Sequence, residues 1–258
     1  MERYYAYAME FESVYNELLH NCDMEKVVDD LCAVRWYSDI RIKNILLQMG
    51  VFKLNYFDIK EYTFNWDTLK RFGLLNKSGG FLLEGGYGIP IRDIEGYLLG
   101  IVAYYPGVDT AYKYRTAGGR YFHKALSLFN IDNAVELSED LKFVYVVEGI
   151  FDSIALRSVG LPCVALQGSE VSQYKRELLK IFRKNIAIPD NDSIGKKELY
   201  RWNLEGNVTY VDMSGSVQIG EEVKKVKDMD DLVKYFCNAE EILLPYKEST
   251  RKYESLQL

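Results

Sequence analysis

The chain of 258 residues has few groups that could hold a soft metal. It contains two histidines, His20 and His123, and four cysteines, Cys22, Cys32, Cys163 and Cys237. None of the cysteines forms a C-x-x-C pair and the histidines stand far apart, so no structural zinc site is expected. Reduced thiols that mostly serve packing are the default for a cytosolic protein. Long apolar runs are also missing: none reaches the ~18 residues a membrane helix needs. The opening "MERYYAYAMEFESVYNELL" has neither the apolar centre of a signal peptide nor the Arg/Ser-rich character of a transit peptide. These absences predict a cytoplasmic protein with no membrane partner. A basic excess is lacking too. The net charge of −6 argues weakly against a protein that coats nucleic acid. What the chain does have is a 48 % apolar content, enough for a substantial core, and 21 tyrosines.

The texture changes along the chain. Residues 1–50 read as a helical segment. "YAMEFESVYNELL" spaces apolar residues by three and four, and "SDIRIKNILLQMG" opens on a Ser/Asp cap and closes at Gly50. Residues 51–135 alternate short β-like runs with glycines. Ile94, Glu95 and Gly96 mark a hairpin turn between "GIPIRD" and "YLLGIVAYY". A basic, aromatic stretch follows: Lys113, Tyr114, Arg115, Arg120, Tyr121, His123 and Lys124, with Asp109 the one acid nearby. Cations interleaved with rings suit a nucleic-acid strand, charge facing phosphate and ring facing base. The same pattern also fits a solvated β-ribbon. Residues 136–245 run strand, helix, strand, helix, a parallel α/β layout: "FVYVV", "DSIALRSVG", "CVAL", "SQYKRELLKIFRKN", "IAIP", "KKELYRWNLEG" and "VTYVDM". Residues 246–258 read as a loose polar tail.

Carboxylates recur where strands stop. Glu148 ends the strand "VYVV" and Asp152 opens the helix behind it. Asp190 and Asp192 follow "IAIP", and Asp228 and Asp230 precede the helix "LVKYF". Open parallel sheets bind ligands beyond the C-terminal ends of their strands. Carboxylates gathered there repel one another, and some would be forced neutral. A hard divalent cation removes that penalty, so the pattern points to a Mg²⁺ site for phosphoryl transfer. Taken singly, Glu148 and Asp152 also read as ordinary acids at a helix N-terminus, and "DMDD" as a capped helix start. A calcium loop at "DNDSIG" is excluded by Ile194 and Arg201, which stand where an EF-hand needs an acid or amide and a glutamate.

In order, "VVEGIFDSIALRSVG", "IAIPDNDSIG" and "KDMDD" resemble the TOPRIM domain shared by bacterial-type primases, topoisomerases and some nucleases. The three acidic clusters and their spacing look most like bacterial and phage DNA primases of the DnaG-like type. Upstream, "IPIRDIEGYLLG" and "KYRTAGGRYFHKALSLFNID" resemble the basic subdomain that precedes TOPRIM in primases. The likeness covers about residues 51–240. It implies an α+β and α/β chain: N-terminal helices over 1–50, a basic nucleic-acid-binding subdomain over 51–135 and a Rossmann-like parallel sheet over 136–245.

By that resemblance, Glu148, Asp190 and Asp192 are metal ligands or catalytic acids, supported by Asp152, Asp228 and Asp230. Lys113, Tyr114, Arg115, Arg120, His123 and Lys124 would bind nucleotide or template, with Lys124 foremost. Gly149 and Gly195 would keep backbone close to the metals, and Gly168 would form the turn after the second strand. The resemblance implies RNA primer synthesis on single-stranded DNA from ribonucleoside triphosphates, with Mg²⁺ or Mn²⁺ as cofactor. The family's zinc-binding and helicase-docking modules have no counterpart in this sequence. A separate zinc-binding protein or a replicative helicase is therefore an expected partner, and a phage or mobile element an expected setting. A TOPRIM nuclease and a non-catalytic nucleic-acid adaptor remain the alternatives.

Overall fold

In a computed structural model of the chain, the described residues are 2–61, 64–108, 113–119, 122–168, 171–191, 208–212, 216–219, 222–236, 239–248 and 253–255. The chain divides into two compact units, Met1–His123 and Lys124–Leu258. Among the described residues no helix is long and apolar enough to cross a membrane.

The first unit opens with three helices, of which the sequence marks the first and the third. α1 (Glu2–His20) buries Tyr7, Phe11, Val14, Tyr15 and Leu18, one stripe of its surface. α2 (Met24–Arg35) is capped by Asp23, which accepts the Lys26 N–H at 3.1 Å. α3 (Ile40–Met49) is capped by Asp39 and stopped by Gly50 in the left-handed region. Two further helices, α4 (Tyr56–Glu61) and α5 (Trp66–Arg71), stand where β-like texture was expected. Each has six residues, too few for a helical period to show, and α5 is started by Asn65, which accepts the Thr68 N–H at 3.1 Å.

The expected hairpin is present. β1 (Tyr87–Arg92) and β2 (Leu98–Tyr104) pair antiparallel, and β3 (Tyr114–Ala117) joins the far edge of β2. Asp93 builds the turn by accepting the N–H groups of Glu95 and Tyr97, both at 2.9 Å. Ile101, Ala103 and Ala117 share one core with the buried stripe of α1. Phe11 and Phe72 stack in it with ring centroids 4.5 Å apart.

The Tyr7 hydroxyl donates to the Gly118 carbonyl at 2.8 Å. Next to it Gly119 adopts φ +59°, and a Cβ there would stand 2.1 Å from that hydroxyl and 2.7 Å from the Arg71 carbonyl oxygen. Gly119→Ala is therefore expected to cost about 2–4 kcal/mol of stability from overpacking and left-handed strain together. Urea unfolding of the variant checks the figure.

The second unit is built on a parallel sheet. Its strands are β4 (Val144–Val147), β5 (Cys163–Ala165), β6 (Asn185–Ala187), β7 (Val208–Asp212) and β10 (Tyr253–Ser255), in the order β10-β7-β6-β4-β5. β4 lies inside the sheet between β6 and β5, and all four of its residues are buried, the mark of a strand covered on both faces. α6 (Ile131–Leu137), α7 (Ile150–Ser158) and α8 (Gln173–Leu179) accompany the sheet. Gly160, at φ +79°, follows α7 as expected. The helix expected over "KKELYRWNLEG" lies outside the described residues.

Two features depart from the sequence reading. An antiparallel hairpin of β8 (Ser216–Ile219) and β9 (Glu222–Lys225) precedes α9 (Met229–Tyr235). The segment expected to be a loose tail instead supplies Pro245–Glu248 as a helix and β10 as an edge strand parallel to β7. Backbone groups along the edge of β7 need partners, and the tail provides them whatever its side chains are. Lys184 holds the approach to it, donating from Nζ to the carbonyls of Tyr246 at 2.6 Å and Lys247 at 2.8 Å.

Candidate active site

The apolar strand β4 carries Glu148 directly beyond its C-terminal end. The chain enters α7 at once, with Gly149 in the N-cap position. A Cβ on Gly149 would lie 2.3 Å from Asp152 Oδ2, so the Asp152 carboxylate folds back over a residue that has no room for a side chain. β6 runs on beside β4, the Ile188 N–H donating to the Val146 carbonyl at 2.9 Å. This brings Asp190 to the same edge, where its backbone N–H donates to Glu148 Oε1 at 3.3 Å.

The third acidic group arrives by a different route from the one expected. Asp228 and Asp230 follow the β8–β9 hairpin and not a strand of the parallel sheet. Asp228 caps α9 by accepting the Asp231 N–H at 2.9 Å. The Asp230 N–H donates to Asp152 Oδ1 at 3.0 Å, and Asp230 Oδ2 meets the Lys234 ammonium at 2.8 Å. Asn191 stitches the loop after β6 to the segment before α9. Its Nδ2 donates to the Val226 carbonyl at 3.0 Å and its N–H to the Lys227 carbonyl at 2.5 Å. Glu148 with Asp190, and Asp152 with Asp230, are thus joined by hydrogen bonds, and the loops that carry them are fastened together.

The electrostatics are those of a crowded anionic rim. Burial drives the Asp152 carboxyl well above the ordinary carboxylate range, and the charges of Asp228, Asp190 and Asp230 push it the same way. Burial also raises Asp228, with the Asp231 N–H working against it and the charges of Asp231 and Asp230 reinforcing it. Among the described residues no three His, Cys, Asp or Glu side chains form a ready-made metal cage. Asp192 and Gly195, expected at the metals, lie outside the described residues. The donors at hand are carboxylate oxygens whose mutual repulsion a hard cation would relieve while keeping several of its own waters. That donor set suits Mg²⁺ or Mn²⁺.

Lys124 begins a 3-10 turn, Lys124–Leu126. Its Nζ lies 3.5 Å from where a Cβ on Gly168 would stand. Gly168, at φ +142°, donates its N–H to the Glu148 carbonyl at 3.3 Å. Partial burial lowers the pKa of the Lys124 ammonium. Lys124 therefore lies beside a loop whose backbone is bonded to the Glu148 carbonyl.

In the first unit Tyr87, Tyr104 and Tyr114 stand opposite one another across β1, β2 and β3. Neighbouring rings lie 6.5 and 5.6 Å apart. Lys113 Nζ is 5.7 Å from the Tyr104 ring centre and 5.8 Å from that of Tyr114, which is 37 % exposed. Arg115, one residue on, turns to the other face of β3 and lies over Tyr105 at 4.9 Å. Arg35, unmarked in the sequence, lies 5.8 Å from the Tyr104 ring centre. His123 is exposed, and Arg120 lies outside the described residues.

A parallel sheet with acids beyond its strand ends, one of them directly before a helix, resembles a TOPRIM domain. Residues 145–233 match the family described as Toprim-like. The chain as a whole has the fold of a DNA primase catalytic core. It is similar to the structure of the DnaG catalytic core, with a TM-score of 0.69 and 20 % identity, over 91 % of this chain and 77 % of that one. The structure of the DnaG primase catalytic domain bound to ssDNA gives a TM-score of 0.67 at 19 % identity, over 90 % and 77 %. In sequence, the DNA primase of Thermotoga maritima is 28 % identical over 171 residues, 64 % of this chain. The chain spans 29 % of the length of that relative.

Proposed function

We propose that the chain is a primase catalytic core that makes short RNA on single-stranded DNA by divalent-cation-dependent nucleotidyl transfer. The observation that carries the reading is the paired fastening of the rim, Glu148 to the Asp190 backbone and Asp152 to the Asp230 backbone. The DNA primase relatives and the ssDNA-bound structural neighbour support it. In the reaction the 3′-hydroxyl oxygen bonds to the α-phosphorus of the incoming nucleotide. The bond from that phosphorus to the bridging oxygen breaks, pyrophosphate leaves, and the hydroxyl proton passes to water.

Glu148, Asp190 and Asp192 would hold Mg²⁺ or Mn²⁺, with Asp152, Asp228 and Asp230 beside them. When bound, the cation lowers the pKa of the attacking hydroxyl and stabilises charge on the reacting phosphate. Lys234 neutralises part of the Asp230 charge, so the rim is not all repulsion. Lys124 receives the triphosphate oxygens. Lys124 is exposed, so its ammonium is open to an incoming phosphate. Lys113, Tyr114, Arg115, Arg120 and His123 contact the template, cations to phosphate and Tyr114 to a base.

The test is incubation of the purified chain with single-stranded DNA, labelled ribonucleotides and Mg²⁺ or Mn²⁺. Short RNA that requires both template and ribonucleotide is expected. Cleavage of the DNA without nucleotides would transfer the assignment to a nuclease. Retained DNA with neither product would make the chain an adaptor.

A further inference from the structure

Gln167 is not a residue that stability alone would choose for its place. It follows β5, is only 5 % exposed and adopts φ +60°, a left-handed conformation that glycine and asparagine tolerate best. Its Nε2 donates to Ser127 Oγ at 3.1 Å, with the Ser127 carbonyl at 3.5 Å. Its Oε1 is buried and accepts no hydrogen bond among the described residues. A buried amide satisfied at one end only, on a strained backbone, lowers stability.

The loop that carries Gln167 is tied on every side. The Leu166 carbonyl before it accepts from the buried Lys175 ammonium. The Gly168 N–H after it donates to the Glu148 carbonyl at 3.3 Å. Ser127 directly follows the turn Lys124–Leu126, and the Ser172 hydroxyl holds the Ala125 carbonyl within that turn. A continuous path therefore runs from the Glu148 carbonyl through Gly168 and Gln167 to Ser127 and the turn that begins with Lys124. The Gln167 amide is its cross-link.

We infer that Gln167 is a positioning residue, fixing the turn that carries Lys124 against the Glu148 end of β4 and so setting how tightly the site holds a nucleoside triphosphate. The inference rests on the primase reading above. Gln167 does not touch the nucleotide. It acts through Lys124, and that makes it separable from a residue that only supports the fold.

The experiment is calorimetric titration of the full chain with a non-hydrolysable nucleoside triphosphate in Mg²⁺, using Gln167→Met, Lys124→Ala and the double variant. Methionine keeps the length of glutamine and removes the amide. Gln167→Met is expected to weaken nucleotide binding about tenfold, with an unchanged or higher Tm and unchanged affinity for single-stranded DNA. In turnover its nucleotide KM should rise while kcat holds. The double variant should bind no more weakly than Lys124→Ala alone. Ser127→Ala cuts the same cross-link from the other side and should reproduce the loss; it takes over if Gln167→Met fails to fold. Unchanged nucleotide binding in the cross-link variants, or additive losses in the double variant, overturns the inference and leaves the primase reading standing. Undiminished binding by Lys124→Ala overturns the role given to Lys124 in that reading, and the inference with it.

Discussion

Glu148→Gln should abolish detectable primer synthesis while leaving the fold and the binding of single-stranded DNA unchanged. Glutamine keeps an Oε1 to accept the Asp190 N–H, so the contact between the ends of β4 and β6 survives. What it loses is one negative charge at the place where the proposed cation would be held. Groups that stabilise charge developing in a transition state are worth at least about a hundredfold each in rate, and a ligand that also recruits the cation is worth more. Asp190→Asn should fail in the same way for the same reason. A Glu148→Gln protein that synthesises RNA at the wild-type rate would remove Glu148 from the site.

Asp152→Asn should act in two opposite directions. In the wild-type chain burial and three neighbouring carboxylates raise the Asp152 pKa, so the folded state keeps a proton that the unfolded state has already released. Stability from this group is greatest in acid. It falls as pH rises above the ordinary aspartate value of 3.8 and levels off once the raised value is passed. Asp228 contributes with the same sign. Asparagine carries no charge, and its Oδ1 can still accept the Asp230 N–H. In chelator, Asp152→Asn should therefore melt several degrees higher than wild type near neutral pH, and its Tm should fall less between acid and neutral pH. Added Mg²⁺ should raise the wild-type Tm more than that of the variant, and synthesis by the variant should be lower. Thermal melts across pH, with and without cation, read all of this. A variant that melts lower than wild type in chelator at neutral pH would contradict the reading of the rim as a store of repulsion.

Much of this site could be read from the sequence because its signals are local. Glu148 and Asp190 announce themselves as acids directly after apolar strands, and Asp228 as an acid directly before a helix. Gly50, Gly96 and Gly160 mark real chain reversals because each carries a positive φ. What escaped depends on longer range or smaller scale. α4 and α5 are too short to show a period. The β8–β9 hairpin alternates polar and apolar residues in "SVQI" and "EVK", but its strands are only four residues each, too short for the pattern to stand out. The edge strand at Tyr253–Ser255 is set by the exposed backbone of β7, not by its own side chains. The basic stretch was legible as composition, yet its geometry was not. Strand alternation sends Tyr114 to the tyrosine row and Arg115 to the opposite face, while Lys113, just before the strand, reaches back to the rings of Tyr104 and Tyr114. Gln167 left no signal at all: its role comes from a hydrogen bond across 40 residues of chain.

The most direct test of the account is Mn²⁺ binding, followed by the electron paramagnetic resonance of the free ion, in wild type and in Glu148→Gln. Wild type is predicted to remove Mn²⁺ from solution at a defined stoichiometry, with Mg²⁺ competing, and Glu148→Gln to lose that binding while still folded. Equal Mn²⁺ uptake by the two proteins would contradict the claim that the carboxylates beyond β4 and β6 form a cation site.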